Sequence, residues 1–167
     1  AFAISDDETR LFTGDRAGRA FLWDMRTGNT IGDPIDTLYG NRINAACFLP
    51  DGNQVLVAAD DEQLSLIDLA SRTRTAKMNH DGYVTSVSMS ADARFALTLC
   101  ELSTSDQLKT SVHLWNLQTR QGRELQQSIL RRGTKEGFKG VGDVAGRAGG
   151  AQRIVSAEFS AEGNSAM

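Results

Sequence analysis

The chain has 167 residues and a formal net charge of −3, and 40% of its residues are hydrophobic while 23% are charged. These values are ordinary for a soluble globular protein and exclude an intrinsically disordered chain. No apolar run approaches the ~18 to 20 residues needed to cross a bilayer, and the opening residues AFAISDDETR lack the basic start and apolar stretch of a signal peptide. By length we expect one domain, or part of a larger one.

One pattern recurs along the chain: a short apolar strand followed by a tight turn that is acidic or contains glycine. It occurs in four segments, which are FAISDDE from Phe2, CFLPDGN from Cys47, VSMSADA from Val87 and AEFSAEG from Ala157. The last apolar residues of these strands are spaced by 44, 41 and 70 residues and are Ile4, Phe48, Met89 and Phe159. A fixed period of this length predicts a repeat architecture, with the last gap lengthened by an insertion.

A second landmark keeps the same register as the first. It is a Leu-Trp-Asp or related triplet at Leu22–Asp24, Leu66–Asp68 and Leu114–Asn116, spaced by 44 and 48 residues. Two independent landmarks in step indicate a true repeat.

Short runs of β-forming residues fill each period, separated by Asp, Gly, Asn and Pro. In the second period they predict four antiparallel strands, at Ile43–Leu49, Gln54–Ala59, Leu64–Leu69 and Thr73–Met78. Four such strands fit in each period. Runs such as VLVAA and FALTLC are almost continuously apolar, which predicts that both faces of each sheet are covered. Radial stacking of small sheets provides that cover.

These triplets and strand-plus-turn segments resemble the WD-repeat β-propellers. The resemblance implies an all-β propeller segment of about four repeats, each a four-stranded antiparallel blade, incomplete at both ends and completed by other parts of the protein. We expect one segment over 1–167 with approximate repeats at 1–38, 39–79, 80–128 and 150–167, the last of them partial. Phrases such as LWDMRTGNTIGDPI resemble repeats of large bacterial proteins and predict a bacterial source.

In that family a blade is often locked by a hydrogen-bonded His, Ser or Thr, Asp and Trp. The resemblance gives structural roles to Trp23, His80 and Trp115. Asp61 has the family's spacing, but Ile67 replaces the Trp that it would support, and in the third repeat an insertion from Glu101 to Lys109 displaces the Asp. No repeat has the full set, so we expect apolar stacking to hold the blades together.

A glycine-rich basic insertion at 129–153 is too long for a standard blade connection. From Arg131 to Arg153 it carries a net charge of +4, and we expect a mobile surface loop that is either simply solvated or a contact site for an acidic partner. Its candidate contact residues are Arg131, Arg132, Lys135 and Lys139. Residues 140–145 imitate a G-x-G-x-x-A dinucleotide fingerprint but lack the preceding strand and following helix, and few aromatic residues accompany the cations, so neither nucleotide nor nucleic-acid binding is expected.

Nothing in the spacing of the nucleophilic and titratable residues predicts catalysis. No Ser-His-Asp unit is apparent, His113 is expected to pack, and Cys47 and Cys100 lie in apolar runs without a basic neighbour. The acidic turns lack the ligand order of a calcium loop. We therefore expect no catalytic residue, cofactor or metal, and two cysteines favour a reducing cytoplasm.

The resemblance predicts a non-catalytic scaffold that presents loops to other proteins. Its contact candidates lie in the turns before each first strand and before each third strand, and are Tyr39, Asn41, Arg42, Tyr83, Arg16, Arg19, Asp61 and Gln63. The alternative is a regulatory or substrate-recruiting propeller arm of a larger multidomain enzyme.

Overall fold

The computed structural model describes residues 1–36, 40–103 and 108–125, together with the backbone of residues 138–139 and 158–159. Within these residues every regular element is a β-strand and there is no helix, which confirms the all-β prediction. The strands are, in chain order, β1 (Phe2–Ile4), β2 (Arg10–Gly14), β3 (Ala20–Asp24), β4 (Ile43–Phe48), β5 (Gln54–Ala59), β6 (Gln63–Asp68), β7 (Thr73–Asn79), β8 (Tyr83–Met89), β9 (Phe95–Ser103), β10 (Leu108–Asn116), β11 (Gln121–Glu124), β12 (Phe138–Lys139) and β13 (Glu158–Phe159).

The first eleven strands form three antiparallel sheets in which consecutive strands are neighbours. Sheet one contains β1 to β3, sheet two contains β4 to β7, and sheet three contains β8 to β11. The strands of sheet two agree with those predicted for the second repeat to within one residue at each end. β12 pairs with β13, so the predicted fourth strand-plus-turn segment also contains a strand. The rest of the predicted insertion at 129–153 lies outside the described residues.

The first repeat departs from the expected four strands. Residues 29–35 follow β3 but bridge it only at two points, Trp23 with Thr30 and Ala20 with Ile35. Between these points lie Gly32, at a φ of +67°, and Pro34. Because proline has no N–H to donate and glycine here adopts a left-handed conformation, a continuous ladder is interrupted, and this outer edge is irregular.

Sheet two lies between the other two sheets and buries both of its faces. Val55, Val57 and Ala59 on β5 belong to one core cluster, shared with Phe12 and Leu22 of sheet one. The alternate β5 residues, Leu56 and Ala58, belong to a second cluster, shared with Val84, Ala96 and Trp115 of sheet three. Successive residues of a strand point to opposite faces, so a run that is covered on both sides has to be continuously apolar. Each buried Val, Leu or Phe side chain of these clusters contributes about 1.5 to 3 kcal/mol by burial.

The predicted insertion from Glu101 to Lys109 lengthens a hairpin. β9 and β10 are nine residues long, whereas β5 and β6 have six. The additional pairs include Glu101 with Thr110 and Leu102 with Lys109. Much of the insertion therefore continues the ladder beyond the end of sheet two, and only residues 104–107 lie outside the described residues.

The third residue of each Leu-Trp-Asp landmark caps the turn that follows its strand. Asp24 Oδ1 accepts from the main-chain N–H groups of Arg26 and Thr27, and Asp68 and Asn116 act in the same way. Asp and Asn favour such turns because their short side chains reach the main chain two or three residues on. The landmark thus marks a strand end in each sheet.

Candidate functional site

The turns singled out from the sequence lie along one edge of the three sheets. In an antiparallel meander, the segment before the first strand and the turn between the second and third strands meet at the same end of the sheet. We call this end the upper edge, which comprises residues 15–19, 41–44, 60–63, 80–83 and 101. Main-chain hydrogen bonds join its parts: Ile43 N donates to Asp15 O at 3.1 Å, and His80 N donates to Glu62 O at 2.9 Å. Neighbouring sheets therefore hold the upper edge in place.

A buried hydrogen-bonded set, which we call the Trp115 set, lies between sheets two and three. Trp115 Nε1 is 3.0 Å from His80 Nε2 and 3.1 Å from Thr98 Oγ1, and the latter two atoms are 2.7 Å apart. His80 Nδ1 lies 2.9 Å from the carbonyl oxygen of Met78. The structure thus brings together His80 and Trp115, for which the resemblance implied structural roles, and adds Thr98.

The partners of His80 fix its protonation. A carbonyl oxygen only accepts, so Nδ1 carries the proton and donates to Met78 O, which takes the place of the Asp in the family's lock. Nε2 is then the acceptor for the Thr98 hydroxyl and the Trp115 N–H. Burial, reinforced by the neighbouring His113 ring, lowers the pKa of His80 to about 4. The imidazole is therefore neutral near pH 7.

His113 packs beside the Trp115 set. Its ring centroid lies 5.1 Å from that of His80, edge to face, and 6.4 Å from that of Trp115. Its Nδ1 is buried and has no hydrogen-bond partner among the described residues. Burial also lowers the pKa of His113, so both histidines resist protonation.

Gly122 provides the surface on which the Trp115 ring lies. It is directly opposite Trp115 on β11, and a Cβ atom at Gly122 would overlap the six-membered part of the indole. Only a residue without a side chain leaves that space free, so the position of Trp115 depends on a glycine in the adjacent strand.

The other two sheets hold their strands together differently. In sheet one Trp23 Nε1 donates to Thr13 Oγ1 at 2.8 Å. In sheet two Ile67 occupies the Trp position and cannot donate a hydrogen bond. Arg74 on the outer strand links the strands instead: it pairs with Asp61 at 3.0 Å and donates to Ser65 and Gln63. The Asp61 side chain is only 13% exposed. Asp61 Oδ2 and Gln63 Oε1 are thus bonded to Arg74, which holds the turn in place, whereas the buried Asp61 Oδ1 has no hydrogen-bond partner among the described residues.

A groove of about 400 Å³ opens on the upper edge between sheets two and three. We call it the upper groove, and it is lined by Arg42, Asn44, Asp60, Tyr83, Thr85 and Glu101. The Asn44 side-chain amide donates to Asp60 Oδ1 at 2.7 Å and to the Val84 carbonyl at 3.0 Å, so one residue joins both sheets. Asp60 N in turn donates to Arg42 O at 3.1 Å.

The sequence candidates for partner contact are distributed unevenly around this groove. Arg42 and Tyr83 line it, and both are exposed. Arg16 and Arg19 lie on the upper edge of sheet one, where Arg19 pairs with Asp15 at 2.9 Å, and Asn41 is half-buried. The remaining candidates, Tyr39, Arg131, Arg132, Lys135 and the side chain of Lys139, lie outside the described residues.

Sequence reasoning missed four groove residues: Asn44, Asp60, Thr85 and Glu101. For Asn44 a signal was present, because an amide interrupts the otherwise apolar INAACF strand and a buried amide needs partners. Glu101 carried no such signal, since its position depends on how far the β9–β10 hairpin continues.

The described residues contain no group of three or more His, Cys, Asp or Glu that could hold a metal ion. Burial raises the pKa of the Cys100 thiol to about 11 and also raises that of Cys47, which leaves both as thiols near pH 7. Cys47 is half-buried, whereas Cys100 is buried. Among the same residues no helix could span a membrane.

Comparison with known proteins shows which family has this architecture. Residues 32–68 match the family model described as "WD domain, G-beta repeat". Over 119 residues, or 70% of its length, the chain is 30% identical to "WD repeat and SOCS box-containing protein 1" of Homo sapiens, and the same protein of Mus musculus gives the same values. The chain belongs to the WD-repeat β-propeller family. The resemblance stated from the sequence is thereby confirmed.

The WD-repeat chain spans about a quarter, 26%, of the length of these curated relatives. Among solved structures it is similar to Kuenenia stuttgartiensis Hydrazine Synthase, with a TM-score of 0.64 and 15% sequence identity, over 74% of this chain and 34% of that one. At this identity the similarity concerns the fold alone.

Proposed function

We propose that this WD-repeat chain is a non-catalytic scaffold whose upper edge binds other proteins. Membership of the family supports this, together with the absence of a metal-binding cluster and of an activated thiol in the described part of the chain. The observation that carries the proposal is the upper groove, a concave site at the junction of two sheets that includes the exposed side chains of Arg42 and Tyr83.

The rigidity of the upper edge favours a binding role. Binding costs free energy when loops have to be ordered, and hydrogen bonds from neighbouring sheets already order this edge. Tyr and Arg are frequent anchors of protein interfaces because they combine a large contact area with polar groups.

The proposal is tested by site-specific photo-crosslinking in lysate from the source organism. A photoreactive phenylalanine analogue replaces Tyr83 at the upper edge in one variant and Arg26, in an exposed turn at the opposite edge, in the control. We expect discrete crosslinked proteins from position 83 and none of them from position 26. Equal crosslinking from both edges, or none from position 83, would contradict the proposed role.

A second candidate function is that of a regulatory or substrate-recruiting arm in a larger multidomain enzyme. The names of the curated relatives, which join WD repeats to a SOCS box, support an arrangement in which the repeats are one part of a larger chain. The full open reading frame discriminates: a kinase, protease or ATPase pattern beside the repeats supports the arm, and repeats alone support the scaffold.

The basic segment with Arg131, Arg132, Lys135 and Lys139 stays a predicted contact site for an acidic partner. Affinity capture with and without residues 131–153 tests it, and recovery of the same proteins without the segment rejects it. A cytoplasmic location and a bacterial source also stay predictions, and the curated relatives named above are human and mouse proteins.

A further inference from the structure

The charge around the upper groove is unbalanced. Of its lining residues, Asp60 and Glu101 are acidic and Arg42 is basic. Glu62 and Asp81, both exposed, add two carboxylates on the same stretch of edge, whereas Asp61 is neutralised by Arg74. A groove with an excess of carboxylates attracts a cation and raises its local concentration.

An aromatic ring stands beside these carboxylates. Tyr83 is 48% exposed and lies directly opposite Glu101 in the β8–β9 ladder, so both side chains leave the same face of sheet three. Gly82 packs so closely on the Glu101 carbonyl that a Cβ atom there would be only 2.5 Å from the oxygen. The two main chains are therefore closely packed at this point, and the ring and the carboxylate leave them side by side. An aromatic ring next to a carboxylate suits the alkyl stem and charged head of a long cationic side chain.

The carboxylate on the opposite wall is also held in place. Asp60 is fixed by its main-chain bond to Arg42 O and by the Asn44 amide, which occupies Oδ1. Since a carboxylate accepts several hydrogen bonds, Asp60 keeps acceptor capacity for a ligand. Arg42 lines the groove and is exposed, and its guanidinium offers donors of the kind that main-chain carbonyl groups accept from.

We propose that the upper groove binds a lysine or arginine side chain presented by an extended segment of a partner protein. The cation lies between Asp60 and Glu101, its alkyl stem packs on Tyr83, and Arg42 contacts the peptide main chain. This inference rests on the proposed scaffold function and specifies the chemistry of its partner.

The test uses the 167-residue chain and four pools of fluorescein-labelled heptapeptides. The pools differ only at the central residue, which is Lys, Arg, norleucine or Glu, and the flanking positions are mixtures of uncharged residues. Binding is measured by fluorescence anisotropy for the wild type and for Glu101→Gln, Asp60→Asn and Tyr83→Ala. The control is Asp6→Asn, which makes the same change of charge in an exposed turn at the opposite edge.

We expect the Lys and Arg pools to bind at least about tenfold more tightly than the norleucine pool, as for hydrogen bonds to charged groups. Glu101→Gln and Asp60→Asn each reduce that preference, and Tyr83→Ala weakens the binding of both cationic pools. Asp6→Asn changes neither the preference nor the affinity. Equal binding of the norleucine pool, no binding by any pool, or an equal effect of Asp6→Asn would overturn the inference. If crosslinking at position 83 still captures partners in any of those cases, the scaffold function stands and only the cationic ligand is rejected.

Discussion

Acidification between pH 7 and pH 4.5 is expected to destabilise the fold through His80. In the folded chain Nδ1 donates to Met78 O, and Nε2 accepts from Thr98 and Trp115. Burial, reinforced by the neighbouring His113 ring, lowers the pKa of His80 from 6.5 to about 4 on folding. A second proton would also place an N–H at Nε2 against the indole N–H. Between these two values the unfolded chain binds more protons than the folded chain, and stability therefore falls as the pH falls.

The size of the effect follows from the difference between the two pKa values. A single group whose pKa falls from 6.5 to about 4 on folding contributes about 3 kcal/mol to the free energy of unfolding. This contribution is fully lost once the pH is below the folded pKa. Hydrogen bonds from Ser5 and Ser90 hold the pKa of Asp7 and Asp92 at about 2, below the ordinary 3.8. Their contribution to the free energy of unfolding is therefore lost as the pH falls from 3.8 to about 2. The loss above pH 4 is therefore assigned to the histidines.

The assay is urea unfolding at a series of pH values, followed by tryptophan fluorescence. His80→Gln removes the titrating group, so we expect lower stability at pH 7 than in the wild type but a smaller loss between pH 7 and 4.5. His113→Gln serves as the companion variant, because burial also lowers the pKa of His113 and its share has to be measured separately. The reasoning is refuted if His80→Gln loses as much stability over this range as the wild type does.

Three substitutions test other features of the sheets by urea unfolding at pH 7. Gly122→Ala places a methyl group in the space of the Trp115 ring and should lower the free energy of unfolding by about 1 to 3 kcal/mol. In a Trp115→Ala background the same change should cost almost nothing, and an equal cost in both backgrounds would refute the contact. Arg120 has a φ of +58°, so Arg120→Gly should gain about 0.5 to 1 kcal/mol, and a loss would argue against backbone strain there. Arg74→Met leaves Asp61 without its ion-pair partner and should cost about 3 kcal/mol, most of it recovered by adding Asp61→Asn; no recovery would contradict the pairing.

The fold was predictable because its signals are local and repeated. Each sheet needs only its own period of sequence, and the capped turns at Asp24, Asp68 and Asn116 mark the strand ends in register. The continuous apolar run of β5 followed from burial on both faces, which the two core clusters show. The interrupted outer edge of sheet one was harder to predict, because it results from two residues, Gly32 and Pro34, within an otherwise regular repeat.

The groove was only half predictable because it forms between repeats. Arg42 was found from its position just before β4, and Tyr83 from its position at the start of β8. Asn44 bonds across the junction to Val84 O, and Glu101 reaches the groove because the β9–β10 hairpin is long. Local sequence specifies neither the distance between two sheets nor which side chains meet there.

The position of the groove follows from what sheets two and three lack. In sheet two the Asp expected to support a tryptophan, Asp61, pairs with Arg74 on the outer strand, and the adjacent Asp60 accepts from Asn44 at the junction with sheet three. In sheet three the Met78 carbonyl is the partner of His80 Nδ1 among the described residues, and the longer hairpin carries Glu101 to the upper edge. Both departures from the family's lock, each compensated locally, thus lie beside one junction that has a carboxylate on either side, and the groove proposed to bind a partner opens there.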